Sequence, residues 1–219
     1  MKKKLNPEPS DLAPTFISAI CIIFLGIFVL LLATDFGQSF TTEGYRRHQI
    51  DVHSEPVPNM MLVDSQGVNQ NLQDFIVQDG RYVILDFFYT SCKTICISQA
   101  AIFNSLQEKI KVHHLEDRVQ LISVSFDPMQ DDFKAIQQYA SRVKANPSVW
   151  SLLTVSSPKD LKSLLDSFGI YVIKVPPFGD LDHNASFHLI DPKGNLIKIS
   201  SLDDVDDLLS IVKIKIKYE

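Results

Sequence analysis

The chain has 219 residues, enough for one ordinary domain with an appended segment but short for two full domains. Hydrophobic residues make up 45% and charged residues 21%, which excludes a largely disordered chain, and three cysteines are too few for a disulfide-built scaffold. A net charge of -5 argues against a nucleic-acid partner, because such domains present a basic face to phosphates.

Residues 1–11 form a short leader carrying Lys2, Lys3 and Lys4. From Leu12 to Thr34 there is no charged residue, and Phe16 to Ala33 (FISAICIIFLGIFVLLLA) is almost wholly apolar. A helix needs about 20 apolar residues to cross a lipid bilayer, so residues 12–34 are expected to be a transmembrane helix. A cleaved signal peptide is the competing reading, but its apolar core runs only about 7–15 residues, and no cleavage site or lipobox cysteine is obvious here. The three lysines should stay cytoplasmic, and Arg46 and Arg47 lie too far beyond the span to reverse that bias. The remainder then faces the periplasm from a bacterial inner membrane, since the leader is too short for a mitochondrial transit peptide. Residues 1–40 take three of the 21 basic and three of the 26 acidic residues, so the outward part keeps the whole negative charge. Cys21, inside the span, reads as a small apolar filler.

Residues 35–57 are polar, with Gly37, Gly44 and Pro56, and are expected to be a linker to a domain at 58–219. Met60 to Asp64 reads as a strand running into a turn at Ser65–Gly67. Tyr82 to Tyr89 (YVILDFFY) is interrupted only by Asp86 and suits a central strand covered on both faces. Thr90-Ser91-Cys92-Lys93-Thr94-Ile95-Cys96 follows at once, and then Phe103, Leu106 and Ile110 recur at helical spacing. Val119 to Phe126 is a second strand, ended by Asp127-Pro128. A helix is expected over Asp131–Val143, with Asp131-Asp132 as its starting pair, and another from Ser157-Pro158 to Gly169. Ser186–Asp191 and Leu196–Ser200 make a hairpin around Pro192–Asn195, and Leu202–Val212 is a closing helix with Asp203 and Asp204 in its first turn. A βαβ half followed by a hairpin and a final helix predicts an α/β, thioredoxin-like fold, a central mixed sheet flanked by helices.

Cys92 and Cys96 follow a buried strand and open a helix. Four positions apart, they share one helical face with backbones about 6 Å apart, which suits a disulfide or convergence on one metal ion. A helix N-terminus favours the thiolate needed for either role, and Lys93 pushes the same way. Far along the chain, Asp182-His183 precedes the strand that would run beside the first one, and Pro176-Pro177 and Gly179 would shape the loop that brings His183 in. Two thiolates and one imidazole suit copper.

The runs Phe87–Cys96, Ser123–Pro128, Asp182-His183 and Leu189–Gly194 resemble the Sco (SenC) family, membrane-tethered thioredoxin-like proteins involved in copper delivery to cytochrome c oxidase. The similarity extends from about Pro58 to about Val212. It implies that Cys92, Cys96 and His183 ligate copper, with Asp127 in the surroundings of the site. Family members commonly carry proline after each cysteine, where this chain has Lys93 and Ile97. Lys93 sets a charge beside the expected metal, which weakens copper retention or favours redox work.

Two functions therefore compete. One is a copper metallochaperone, a transfer protein rather than a turnover enzyme, passing copper to the binuclear copper subunit (subunit II) of a terminal oxidase. The other is a thiol-disulfide oxidoreductase that reduces an acceptor's cysteines before metallation, using a redox-active Cys92–Cys96 disulfide and tolerating loss of His183. A thiol peroxidase is excluded, because neither cysteine carries the threonine and proline spacing of that chemistry.

Overall fold

A computed structural model describes residues 12–33, 42–92, 95–175 and 180–218, which fall into two units, up to His48 and from Gln49. In the first unit α1 (Leu12–Ala33) has 22 residues, a rise of about 33 Å, close to the thickness of a bilayer core. From Pro14 to Leu32 none of this helix is buried, and it is long and apolar enough to cross a membrane.

The chain becomes helical again at α2 (Thr42–Val52), inside the stretch expected to be a linker. The stretch takes part in the fold for a physical reason. Ile50 is buried in the core, the Asp51 carboxylate pairs with Lys198 at 2.9 Å, and β1 (Glu55–Pro56) is hydrogen-bonded to a distant strand. Lys198 and the strand that pairs with β1 lie far along the chain, so local composition carries no sign of them.

Next come β2 (Met61–Asp64), β3 (Asn69–Asn71), α3 (Leu72–Asp79), β4 (Tyr82–Phe88), α4 (Ile95–Val112), β5 (Val119–Ser125), α5 (Phe133–Val143) and β6 (Trp150–Val155). After these follow α6 (Leu161–Phe168), the hairpin β7 (Val172–Val175) and β8 (Asp180–His183), then β9 (Phe187–Ile190), β10 (Asn195–Ser200) and α7 (Val205–Lys217). Among the described residues eight strands form one sheet in the order β1-β10-β9-β4-β5-β6-β2-β3, and β7 and β8 form a second, two-stranded sheet. The centre β4-β5-β6 is parallel, and β9 and β2 add antiparallel strands on its two sides. This mixed sheet is the expected thioredoxin-like arrangement.

Every residue of β4 and β5 is buried, as two-sided coverage requires. Successive β4 side chains point to opposite faces. Phe88 meets Tyr139 of α5 at 4.6 Å between ring centroids, whereas Phe87 meets Phe168 of α6 at 5.2 Å. The helices α4 and α5 thus cover one face, consistent with two successive crossovers of the same hand, and α6 covers the other. Asp86 shares the Phe88 face, under α4 and α5.

Among the elements that the sequence reading did not name are β6 and α3. The strand β6 (WSLLTV) alternates poorly around Ser151 and Thr154 and is held by parallel pairing, with Trp150 opposite Leu121. The short α3 is capped by the Asn71 side chain on the Asp74 N–H and stops at Gly80, whose φ of 74° is left-handed. The closing helix starts at Val205, so the acids in its first turn are Asp206 and Asp207 rather than Asp203 and Asp204.

Candidate metal centre

The buried β4 delivers the chain to Thr90, Ser91 and Cys92 at the edge of the core, and α4 begins at Ile95. Cys92 is half-buried, and its backbone N–H closes a turn onto the Tyr89 carbonyl at 3.2 Å. Cys96, in the first turn of α4, is buried, and its backbone N–H donates to Cys92 Sγ at 3.4 Å. Neither is in a disulfide in this structure. Lys93 lies outside the described residues, as do Pro176, Pro177 and Gly179.

His183 ends β8 and reaches the same place. Its Nε2 stands 3.6 Å from Cys96 Sγ, although the two residues are 87 positions apart. The other ring nitrogen, Nδ1, is 3.0 Å from the Asn184 carbonyl. A carbonyl only accepts, so Nδ1 carries the proton and Nε2 offers its lone pair towards the sulfur. Phe126 packs edge-on to the imidazole at 4.9 Å and Tyr89 lies against Phe126, forming an aromatic wall. Asn184 pins the base of the hairpin by accepting from the Tyr171 N–H at 2.7 Å and donating to the Gly169 carbonyl at 2.9 Å. Asp182 pairs with Ile173 across that hairpin.

The three expected ligands are therefore linked through Cys96. Among the described residues no three ligating side chains already form a finished metal cage. The donor set of two sulfurs and one oriented imidazole nitrogen nevertheless fits a soft ion such as copper.

The chemistry of Cys96 departs from expectation. A helix N-terminus should favour its thiolate, yet the thiol is held well above the ordinary range. The hydrogen bond with Cys92 does most of this, burial adds to it, and repulsion from Cys92 and Asp86 contributes further against the backbone of Tyr89. Desolvation and a neighbouring sulfur outweigh one turn of helix dipole.

Two buried acidic residues, Asp86 and Asp131, to which the sequence reading gave no part in the site, act on the cysteine turn. Burial pushes the Asp86 carboxyl up to about 7, against a hydrogen bond from Ser123. Ser123 Oγ in turn accepts from the Trp150 indole at 2.9 Å. A lone acid within an apolar strand was the available signal. Asp131 is buried and accepts from the Thr90 N–H and from Ser125. Asp127, expected near the site, closes the turn after β5 through its backbone carbonyl, which accepts from Gln130 and Asp131. The Asp131 carboxylate is joined to the Cys92 loop through Thr90. His188 is fully buried, with Nε2 3.0 Å from the Phe168 carbonyl, and ties β9 to the end of α6.

The sequence model of the SCO1/SenC family matches residues 53–215. The chain is similar to the SCO1 protein homolog of Bacillus subtilis (strain 168), 30% identical over 154 residues that cover 68% of this chain and 77% of that protein. Among solved structures it is similar to BsSco, a member of the Sco family of cytochrome c oxidase assembly proteins in which a disulfide switch was identified. There the identity is 27% and the TM-score 0.59, covering 73% of this chain and 95% of that one. It shares its fold with copper-bound ScoI of Arabidopsis thaliana, at 24% identity and a TM-score of 0.61, over 76% of this chain and 99% of that one.

Proposed function

The chain belongs to the SCO1/SenC family, and from that premise we propose that it is a membrane-anchored copper carrier serving assembly of a cytochrome c oxidase. Cys92, Cys96 and His183 are the copper ligands in this reading. The observation that carries it is the meeting of His183 Nε2 and Cys96 Sγ at 3.6 Å, with Nδ1 turned onto a carbonyl. A histidine that served only the core would have no reason to present its lone pair to a sulfur that already neighbours a second one. The anchor is the helix within residues 12–34, with the leader cytoplasmic and the domain in the periplasm, and the acceptor is the copper-bearing subunit II.

The test uses the full chain in detergent, reduced and loaded anaerobically with copper, beside His183→Ala. Stoichiometric copper in the parent and its loss in the variant is the expected result. Copper retained by His183→Ala would overturn the ligand set.

A second reading, thiol-disulfide exchange with the acceptor, is favoured by one specific observation. Cys92 is half-buried while Cys96 is buried and protonated beside it, the asymmetry of an attacking and a resolving thiol. This activity would survive His183→Ala.

A further inference from the structure

The residue before the cysteine turn is held more tightly than a loop needs. Thr90 donates its backbone N–H to Asp131 Oδ2 at 2.8 Å and its hydroxyl to Asp131 Oδ1, while its carbonyl accepts from Arg142 Nη2 at 2.9 Å. Asp131 also accepts from the Ser125 hydroxyl at 2.5 Å, which ties it to the end of β5. The N-cap of α5 is the neighbouring Asp132, whose side chain accepts from the Ala135 N–H. Asp131 is therefore not needed as a cap, yet it is only 1% exposed. Arg142 stands in the last turn of the same helix and stacks on Tyr139. Thr90 is thus gripped from both ends of α5, two positions before Cys92.

We propose that Asp131 is the positioning residue of the Cys92 thiol. With Arg142 it clamps Thr90, and the short turn from Thr90 then holds Cys92 Sγ against the Cys96 N–H at the start of α4. This rests on Cys92 being a working thiol. Asp131 does not touch the sulfur and acts through Thr90. A carboxylate suits the task because all three of its partners are donors here. The isosteric amide has one acceptor oxygen instead of two and no charge: its NH2 would face the Thr90 hydroxyl, which must turn round to accept, and the charge-assisted character of all three bonds is lost.

The test compares Asp131→Asn, Thr90→Val and Thr90→Ser in the full chain in detergent. It reads the rate of Cys92 alkylation by iodoacetamide, the dithiol–disulfide equilibrium of Cys92 and Cys96 against a glutathione series, and copper loss to a competing chelator. Asp131→Asn and Thr90→Val are expected to move each readout about tenfold, the scale of one charge-assisted hydrogen bond, and Thr90→Ser to keep parental values. Lower thermal stability with alkylation and redox equilibrium unchanged would reduce Asp131 to a structural residue and overturn the proposal. If Asp131→Asn does not fold, Thr90→Val against Thr90→Ser decides the matter alone. A parent that binds no copper would sink the ligand assignment, while alkylation and redox equilibrium would still decide the clamp.

Discussion

Replacing Asp86 by asparagine should make the protein's stability less dependent on pH. The carboxyl sits in mid β4, 2% exposed, with Oδ1 lacking a hydrogen-bond partner, and burial raises it from an ordinary 3.8 to about 7. A group raised on folding contributes its full stability below the unfolded value and loses it as pH climbs through the folded one. The parent should therefore lose stability between about pH 4 and pH 7 and level off above that. Each pH unit of displacement corresponds to about 1.4 kcal/mol, so the raised carboxyl amounts to about 4 kcal/mol at most. Asparagine cannot ionise, and its own burial cost is the same at every pH. Denaturant unfolding at pH 4.5 and pH 8, followed by fluorescence of the single tryptophan, would measure the difference; Trp150 is buried and linked to Asp86 through Ser123. The variant should gain on the parent by roughly 2–4 kcal/mol from the lower to the higher pH. An equal gap at both would show that Asp86 does not titrate in that window, and the argument from its burial would fail.

Two further outcomes follow from the same geometry. Mass-resolved alkylation of the reduced chain at pH 8 should label Cys92 at least about tenfold faster than Cys96, because the latter is buried and its thiol is held protonated; equal rates would contradict the asymmetry on which the exchange reading stands. Gly194→Ala should cost about 1–3 kcal/mol, since its φ is 79° and the added Cβ would meet Val77 at 3.2 Å; an unchanged Tm would show that the β9–β10 turn relaxes freely.

Local pattern was enough for the apolar N-terminal helix, the central strands and the cysteine pair. The apolar run from Phe16 to Ala33 is long and apolar enough to cross a bilayer, and it is helical within α1. The strands β4 and β5 are apolar on both faces, which is what burial in a parallel sheet selects. Cys92 and Cys96 stand four residues apart across a strand-to-helix turn, so their proximity is written in the spacing. His183 could be suspected from its residue type, its place before the strand expected beside the first one, and the resemblance to a family, but its distance to the cysteines could not be read.

Folding decided the rest, since it depends on which distant segments meet. Antiparallel β9 beside β4, together with the Asn184 anchor at the base of the β7–β8 hairpin, brings His183 to Cys96 across 87 positions. Asp51 at the end of α2 and Glu55 in the edge strand β1 find their partners near the far end of the chain, and Ile50 is buried in the core. Asp131 looks like half of a helix-starting pair until the sheet sets Thr90 beside it. The Cys96 thiol ran against local expectation for the same reason: a helix dipole is set by neighbours in sequence, whereas burial and the approach of Cys92 and Asp86 are set by packing, and in an apolar interior packing dominates.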